Sequence, residues 1–160
     1  MKRLALAISL LLLADGAHAQ KLERINPDGL FKNPNYTQVV KAGKLLFIAG
    51  QVGVAADGKI VGPGMKEQME QVLTNLETAL KSQGADLSHI AKMTTYVTSM
   101  AEFRAPDLLT YRTQRFRGLP PASTLVEVVH LADPAYKVEI EVTAYRGASK
   151  ANIKEMQITL

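Results

Sequence analysis

Two glutamates near the end of the chain stand at a spacing that suits acid–base chemistry. Glu139 and Glu141 alternate with apolar residues in the segment from Tyr136 to Tyr145. Side chains two positions apart on a β-strand point to the same face of a sheet. We therefore expect both carboxylates on one face, opposite the apolar side, where they could transfer protons or position a water molecule. The alternative is one solvated glutamate beside a paired one.

Two other groups of residues are weaker indications of a site. Gly62-Pro63-Gly64 precedes a predicted helix, whose first N–H groups could bind an anion, although a plain turn explains the same residues. Four arginines gather in and just after the second predicted helix: Arg104, Arg112, Arg115 and Arg117. They could form a phosphate- or RNA-binding patch. A solvated helix face is the simpler interpretation, because the full chain carries a net charge of only +4.

The composition excludes several classes of chemistry. The chain of 160 residues contains no cysteine and three histidines. It therefore has no disulfide, thiolate metal site, iron–sulfur cluster or cysteine nucleophile, and histidines without paired spacing do not predict a metal centre. No phosphate-binding loop, dinucleotide motif or serine nucleophile motif is present. We expect neither a metal nor a cofactor.

The hydrophobic pattern predicts the elements that must position these residues. Residues 20 to 36 are polar and turn-rich, and a strand-like region from Val39 to Gly53 is broken by a turn at Ala42-Gly43. A second turn falls at Ala56-Asp57-Gly58-Lys59. The later elements are a helix from Met65 to Gln83, with Gly84 after its end; a strand from Ile90 to Val97; a helix from Ala101 to Arg117, with Pro106 in its first turn or at its start; and strands from Ala122 to Val129 and Tyr136 to Tyr145. This order predicts an α+β domain over residues 20–146, with two helices on one face of a mixed sheet.

The first 19 residues follow the pattern of a secretory signal peptide. Lys2 and Arg3 precede an apolar run, and Ala17-His18-Ala19 supplies the small residues that a signal peptidase requires. The run is shorter than the roughly 20 residues that span a bilayer. We predict cleavage between Ala19 and Gln20, a periplasmic or secreted protein, and no stable membrane anchor. Residues 147–160 form a tail without a clear pattern.

Four segments of the chain carry a resemblance to a known family: Asn35 to Gln38, Leu46 to Gln51, Pro120 to Val128, and Lys137 to Val142. Together they resemble the RidA/YjgF family of enamine/imine deaminases, and the similarity extends over residues 25 to 146. The resemblance implies a homotrimer of chorismate-mutase-like α+β subunits whose sheets join around a central barrel. It also implies clefts between subunits that bind a small molecule without a cofactor.

The resemblance further implies roles for five residues. Glu139 matches the glutamate that places the attacking water, Tyr36 matches the cleft tyrosine, and Gly50 belongs to the cleft wall. Where the family's Pro-Ala-Arg motif has the arginine that grips a substrate carboxylate, this chain has Ser123, and Leu125 stands where many members have cysteine. A hydroxyl is uncharged and cannot hold both carboxylate oxygens. We expect Glu139 and Ser123 to be catalytic, and Tyr36, Gly50 and Leu125 to contact substrate.

Three functions remain open on this reasoning. The first is an imine/enamine deaminase-type hydrolase acting on a small, uncharged or apolar imine or related compound. The second is a non-catalytic trimeric protein that binds a small ligand in the same clefts. The third, RNA cleavage or inhibition of translation, is an older label within the family that the predicted export disfavours, so we expect no nucleic-acid partner. Arg115 or Arg117 could replace the missing arginine, although both are expected at the end of a helix before Pro120-Pro121.

Overall fold

The computed structural model describes residues 21–117 and 120–147. Within these ranges there are six strands and three α-helices. The strands are β1 (Leu22–Ile25), β2 (Val39–Ala42), β3 (Leu45–Val52), β4 (Ile90–Val97), β5 (Ala122–Glu127) and β6 (Val138–Tyr145); the helices are α1 (Met65–Lys81), α2 (Met100–Phe103) and α3 (Pro106–Phe116), with a 3₁₀ turn at Leu87–His89. The predicted signal peptide and, apart from Gly147, the predicted tail lie outside the described residues. No helix in the described ranges is long and apolar enough to cross a membrane.

The six strands form one mixed sheet in the order β1-β2-β3-β6-β4-β5. All neighbouring strands are antiparallel except β4 and β5, which are parallel and are connected through α2 and α3. The predicted α+β class, with helices against a mixed sheet, is therefore confirmed.

Helix α1 and strand β6 supply much of the core, as their periodicities predict. The apolar residues at helical spacing in α1 are all buried: Met65, Met69, Val72, Leu73, Leu76, Ala79 and Leu80. In β6, Val138, Ile140, Val142 and Ala144 are at most 4% exposed. Glu139 and Glu141 occupy the alternate positions of the strand, so they lie on the opposite face of the sheet, as expected.

The predicted helix from Ala101 to Arg117 is two helices, because Pro106 separates them. Ala105, just before the proline, has extended backbone angles (φ −54°, ψ 136°). A proline ring disfavours helical geometry at the preceding residue, whereas proline is well suited to the first turn of a helix. The expectation that the helix starts at Pro106 is therefore correct, and the start at Ala101 is wrong.

Other boundaries differ by small amounts. Strand β1, in the segment predicted to be turns, pairs with β2 at the edge of the sheet. Its residues are mostly exposed, so it carries no hydrophobic alternation that a sequence pattern could reveal. Strand β5 ends at Glu127 and β6 begins at Val138, each two residues inside the predicted bounds. Helix α1 ends at Lys81 rather than Gln83, and Gly84 follows with φ +71°.

A bulge in β3 changes which residues face the core. Ile48 is opposite Val142 of β6, but Gln51 is opposite Ile140, so β3 contains one extra residue around Ala49 and Gly50. Before the bulge, the buried residues are Leu46 and Ile48. After the bulge, the buried residues are Gln51 within the strand and Gly53 and Val54 just beyond its end. The strand therefore changes phase at the point where it meets the site described next.

Candidate active site

A cavity of about 330 Å³ lies beside the bulge and brings together three of the five predicted site residues. Tyr36, Gly50 and Glu139 all line it. The other lining residues are Phe31, Asn33, Gln38, Ala49, Gln51, Val52, Val54, Asn75, Ala132 and Tyr136. A volume of this size is enough for a small organic molecule.

The carboxylate of Glu139 rests directly against the backbone of Gly50. A Cβ added to Gly50 would lie 1.9 Å from Oε1 of Glu139, so only glycine leaves room for this side chain. Burial, and to a lesser degree the charge of Glu141, raises the pKa of Glu139 above its usual value. No residue in the described ranges donates a hydrogen bond or ion pair to this carboxylate. A partly buried, unpaired acid with a raised pKa is suited to proton transfer.

The wall behind Glu139 is built from two buried amide side chains. Nε2 of Gln51 donates to Oε1 of Gln38 at 2.8 Å and to the carbonyl oxygen of Ala49 at 2.9 Å. Nε2 of Gln38 donates in turn to the carbonyl oxygen of Phe31 at 2.7 Å. Gln51 is 4% exposed, and its own Oε1 accepts no bond from the described residues, so it remains an open acceptor in the cavity wall.

Helix α1 holds the end of β3 through Asn75. The side-chain nitrogen of Asn75 donates to the carbonyl oxygens of Val52 and Val54 at 3.2 and 2.9 Å, and its Oδ1 accepts from Gln71 at 2.8 Å. These bonds tie the backbone at the end of β3 to α1.

Tyr136 is a cavity residue that the sequence analysis missed. Its neighbours are held by the fully buried Gln68 of α1, which donates to the carbonyl oxygen of Ala135 and accepts from the N–H of Lys137, each at 2.8 Å. Burial raises the pKa of Tyr136, and the charges of Asp133, Tyr36 and Glu139 add to this effect. The phenol therefore stays protonated near neutral pH. If the strand began at Tyr136, period-two alternation would place this side chain on the core side with Val138. Strand β6 begins only at Val138, so the alternation does not predict where Tyr136 points.

Ser123 and Leu125 do not line this cavity. Glu139 lies beside Tyr96 of β4, and Tyr96 beside Val126 of β5. Partners in such a row share a face, so the next residue along β5, Leu125, is on the opposite face from Glu139. Ser123 is two residues before Leu125 and therefore lies on the same face as Leu125. A single chain therefore presents these predicted residues on the two different faces of its sheet.

The arginines of α3 also lie away from the cavity. Arg115 donates to Glu77 of α1 and to the hydroxyl of Tyr111, both at 2.7 Å. The guanidinium of Arg112 stacks 3.9 Å from the ring centroid of Phe103, and Arg117 caps α3 with a left-handed backbone. Neither Arg115 nor Arg117 replaces the missing arginine within one chain.

The start of α1 does not offer a free anion site. Gly64 caps the helix, and a Cβ added there would lie 2.3 Å from Oε2 of Glu67. The carboxylate of Glu67 thus lies beside the start of the helix, where its negative charge opposes the binding of an anion. Within residues 21–117 and 120–147, no group of three histidine, aspartate or glutamate side chains could hold a metal ion.

Comparison with known proteins places this chain in a family. Residues 31–146 match the family model described as Endoribonuclease L-PSP. A RutC family protein of Pyrococcus horikoshii is 36% identical over 69% of this chain and 86% of its own length. The 2-iminobutanoate/2-iminopropanoate deaminase of mouse is 34% identical over 70% of this chain and 82% of its own length. The crystal structure of RidA from an Antarctic Psychrobacter superposes with a TM-score of 0.70 at 27% identity, covering 77% of this chain and 98% of that one.

Proposed function

The chain belongs to the RidA/YjgF family, and from this membership and the cavity we propose that it is an imine or enamine deaminase that releases ammonia. The observation that carries the proposal is the carboxylate of Glu139. It is partly buried, it has no partner among the described residues, and its pKa is raised. It faces a cavity of the right size for a small substrate and is positioned against Gly50.

In the proposed reaction Glu139 acts on water. The carboxylate accepts a proton as the water oxygen forms a bond to the imine carbon, and the nitrogen takes up a proton to give a carbinolamine. Return of the proton from Glu139 to nitrogen lets the C–N bond break, while the hydroxyl proton is released as the carbonyl forms. The sum is one imine and one water giving one carbonyl compound and one ammonia. Base catalysis of this kind contributes about 10²- to 10⁴-fold in rate.

We also propose that the complete site forms between copies of the chain in a homotrimer. Ser123 and Leu125 face away from Glu139 within one chain, so they reach a shared cleft only if another copy presents them. Ser123 is exposed, which supports a role outside its own subunit, whereas Leu125 is partly buried and packs against the core. Ser123 would offer the substrate a neutral hydroxyl in place of a cationic fork.

An ammonia-release assay tests the deaminase proposal. The purified protein is incubated with an imine that lacks a carboxylate, generated in situ by an amine oxidase, and separately with 2-imino acids from an amino-acid oxidase, beside the variants Glu139→Gln and Glu141→Gln. We expect ammonia release from the imine without a carboxylate that falls at least about 100-fold in Glu139→Gln and is retained in Glu141→Gln, whose carboxylate does not line the cavity. Full activity in Glu139→Gln would contradict the mechanism.

A second candidate function is that of a non-catalytic protein binding a small ligand in the same clefts. It is favoured by Ser123, because losing a charge-assisted contact costs about 1.5–3 kcal/mol. The variant Ser123→Arg separates the two candidates. Gain of imino-acid turnover would indicate a hydrolytic site suited to another substrate, whereas silence in every variant would favour the binding protein. Under either function we propose a periplasmic or secreted location, from the signal-like residues 1–19.

A further inference from the structure

The cavity has a charge pattern that would select among ligands. Of the described residues that line it, Glu139 alone carries a charge, and three aromatic side chains, Phe31, Tyr36 and Tyr136, stand in its walls. The faces of aromatic rings attract cations, and an unpaired carboxylate in a partly dry site does so more strongly. The same groups repel the carboxylate of a 2-imino acid.

We propose that this cavity takes small organic cations, an iminium or ammonium group on a molecule without a carboxylate. The inference rests on the proposed function in one respect, since an iminium is the protonated form of the imine that the enzyme would hydrolyse. It differs from the uncharged substrate expected from the sequence, because the lone charge of the lining is negative.

Two of the aromatic residues, Phe31 and Tyr136, belong to segments that are held in place by hydrogen bonds and close packing. The Phe31 ring packs on the hairpin at Gly58, where an added Cβ would lie 2.9 Å from Cε2 of the ring, and the Phe31 carbonyl accepts from Gln38. The residues on either side of Tyr136 are bonded to Gln68. A wall held in place before binding loses little entropy when a ligand arrives.

The polar atoms of the wall also suit a ligand that donates hydrogen bonds. Oε1 of Gln51 belongs to a side chain that is 96% buried, and no described residue donates to it. The Glu139 carboxylate is an acceptor as well. An ammonium or iminium N–H group can donate to such acceptors, whereas a carboxylate has no proton to donate and would leave them unpaired. If Ser123 of another copy completes the cleft, its neutral hydroxyl leaves this charge pattern unchanged.

Binding calorimetry with three probes of the same shape tests the inference. Benzylammonium, benzyl alcohol and benzoate are titrated separately into the purified protein at pH 7 and matched ionic strength. We expect benzylammonium to bind about tenfold more tightly than benzyl alcohol, and benzoate to bind more weakly than either. Glu139→Gln should abolish the preference for benzylammonium, and Glu141→Gln, the matched control on the same strand face, should keep it.

Benzoate binding as tightly as benzylammonium would overturn the inference, and so would a preference that persists in Glu139→Gln. Tyr136→Ala is a second variant that leaves Glu139 in place. It should lower the affinity for benzylammonium more than that for benzyl alcohol, and an equal loss for both would count against the aromatic contribution.

Because these binding measurements do not need turnover, they test the inference separately from the deaminase proposal. Selective cation binding without ammonia release would refute only the deaminase, and rapid hydrolysis of 2-imino acids without cation preference would refute only this inference.

Discussion

At the scale of single residues, the partial burial of Glu139 suits the side chain to proton transfer and also lowers the stability of the fold when the carboxylate is ionised. Its raised pKa means that the folded chain holds this proton more tightly than the unfolded chain does. Stability therefore falls as pH rises from the ordinary glutamate value through the raised one, and at neutral pH the ionised carboxylate is a burden on the fold. Residues placed for catalysis commonly carry such a cost.

We predict that Glu139→Gln melts a few degrees higher than the parent protein at pH 7. The difference should shrink to nothing below the ordinary glutamate pKa, where the parent side chain is protonated in both states. Thermal unfolding of both proteins between pH 3.5 and 7.5 measures this, because shifts from other carboxylates cancel in the comparison. A lower melting temperature for the variant at pH 7 would show that the Glu139 charge is compensated in the folded state.

At the scale of elements, one amide side chain of α1 joins that helix to the segment before β6. The Gln68 side chain is fully buried and bonded on both sides of Tyr136, to Ala135 and Lys137. Gly53 leaves space for it, since an added Cβ there would lie 2.6 Å from the Gln68 side chain. The position of Tyr136 in the cavity is therefore set by packing between α1 and the bulged strand.

We predict that Gln68→Leu lowers the free energy of unfolding by about 1–3 kcal/mol, because the carbonyl of Ala135 and the N–H of Lys137, both in part-buried hydrogen bonds, lose the Gln68 side chain as their partner. Urea unfolding at fixed protein concentration measures the loss. Gln83→Leu, beyond the end of α1, is the control; among the described residues the Gln83 side chain bonds only to Ser82, so its loss should cost less than about 0.5 kcal/mol. Similar costs for the two variants would show that the Gln68 bonds are replaced by water.

The elements also show where sequence reasoning succeeds and where it stops. Helix α1 and strand β6 each have one buried and one open face, so their periodicities reveal both the element and the orientation of Glu139. Strand β1 is an exposed edge and has no such signal. The bulge in β3 changes which alternate residues of the strand face the core. Tyr136 lies just before β6, although the sequence pattern predicts that the strand already includes it. Neither feature follows from local alternation, because packing against α1 decides both.

At the scale of the whole molecule, no helix of the described ranges covers one of the two faces of the sheet. Leu45, Phe47 and Tyr145 are each at least 40% exposed on this face, where Leu45 and Tyr145 are direct partners. Neighbouring exposed apolar side chains indicate an interface rather than a solvated surface. They support the proposal that copies of the chain associate through their sheets.

We predict that the protein sediments as a trimer and that Phe47→Asp shifts it toward monomer. Burying an aspartate against an apolar partner surface would be unfavourable. Ammonia release should fall with the loss of assembly, since Ser123 and Glu139 would no longer share a cleft. Leu109→Asp is the matched control, because Leu109 is 54% exposed on α3 rather than on the sheet. Sedimentation equilibrium distinguishes the forms; a monomeric parent protein that remains active would contradict the shared cleft.

The bulge of β3 has a consequence for how relatives of this chain can vary in length. A substitution at Ala49 acts locally, but deleting one residue there would restore simple alternation to the strand. Gln51 and Gly53 would then point away from the core, Val52 would point into it, and the cavity wall would be lost together with the contact to α1. Insertions and deletions in relatives should instead collect in the hairpin around Asp57, and an alignment gap placed at Ala49 or Gly50 would pair residues from opposite faces of the sheet.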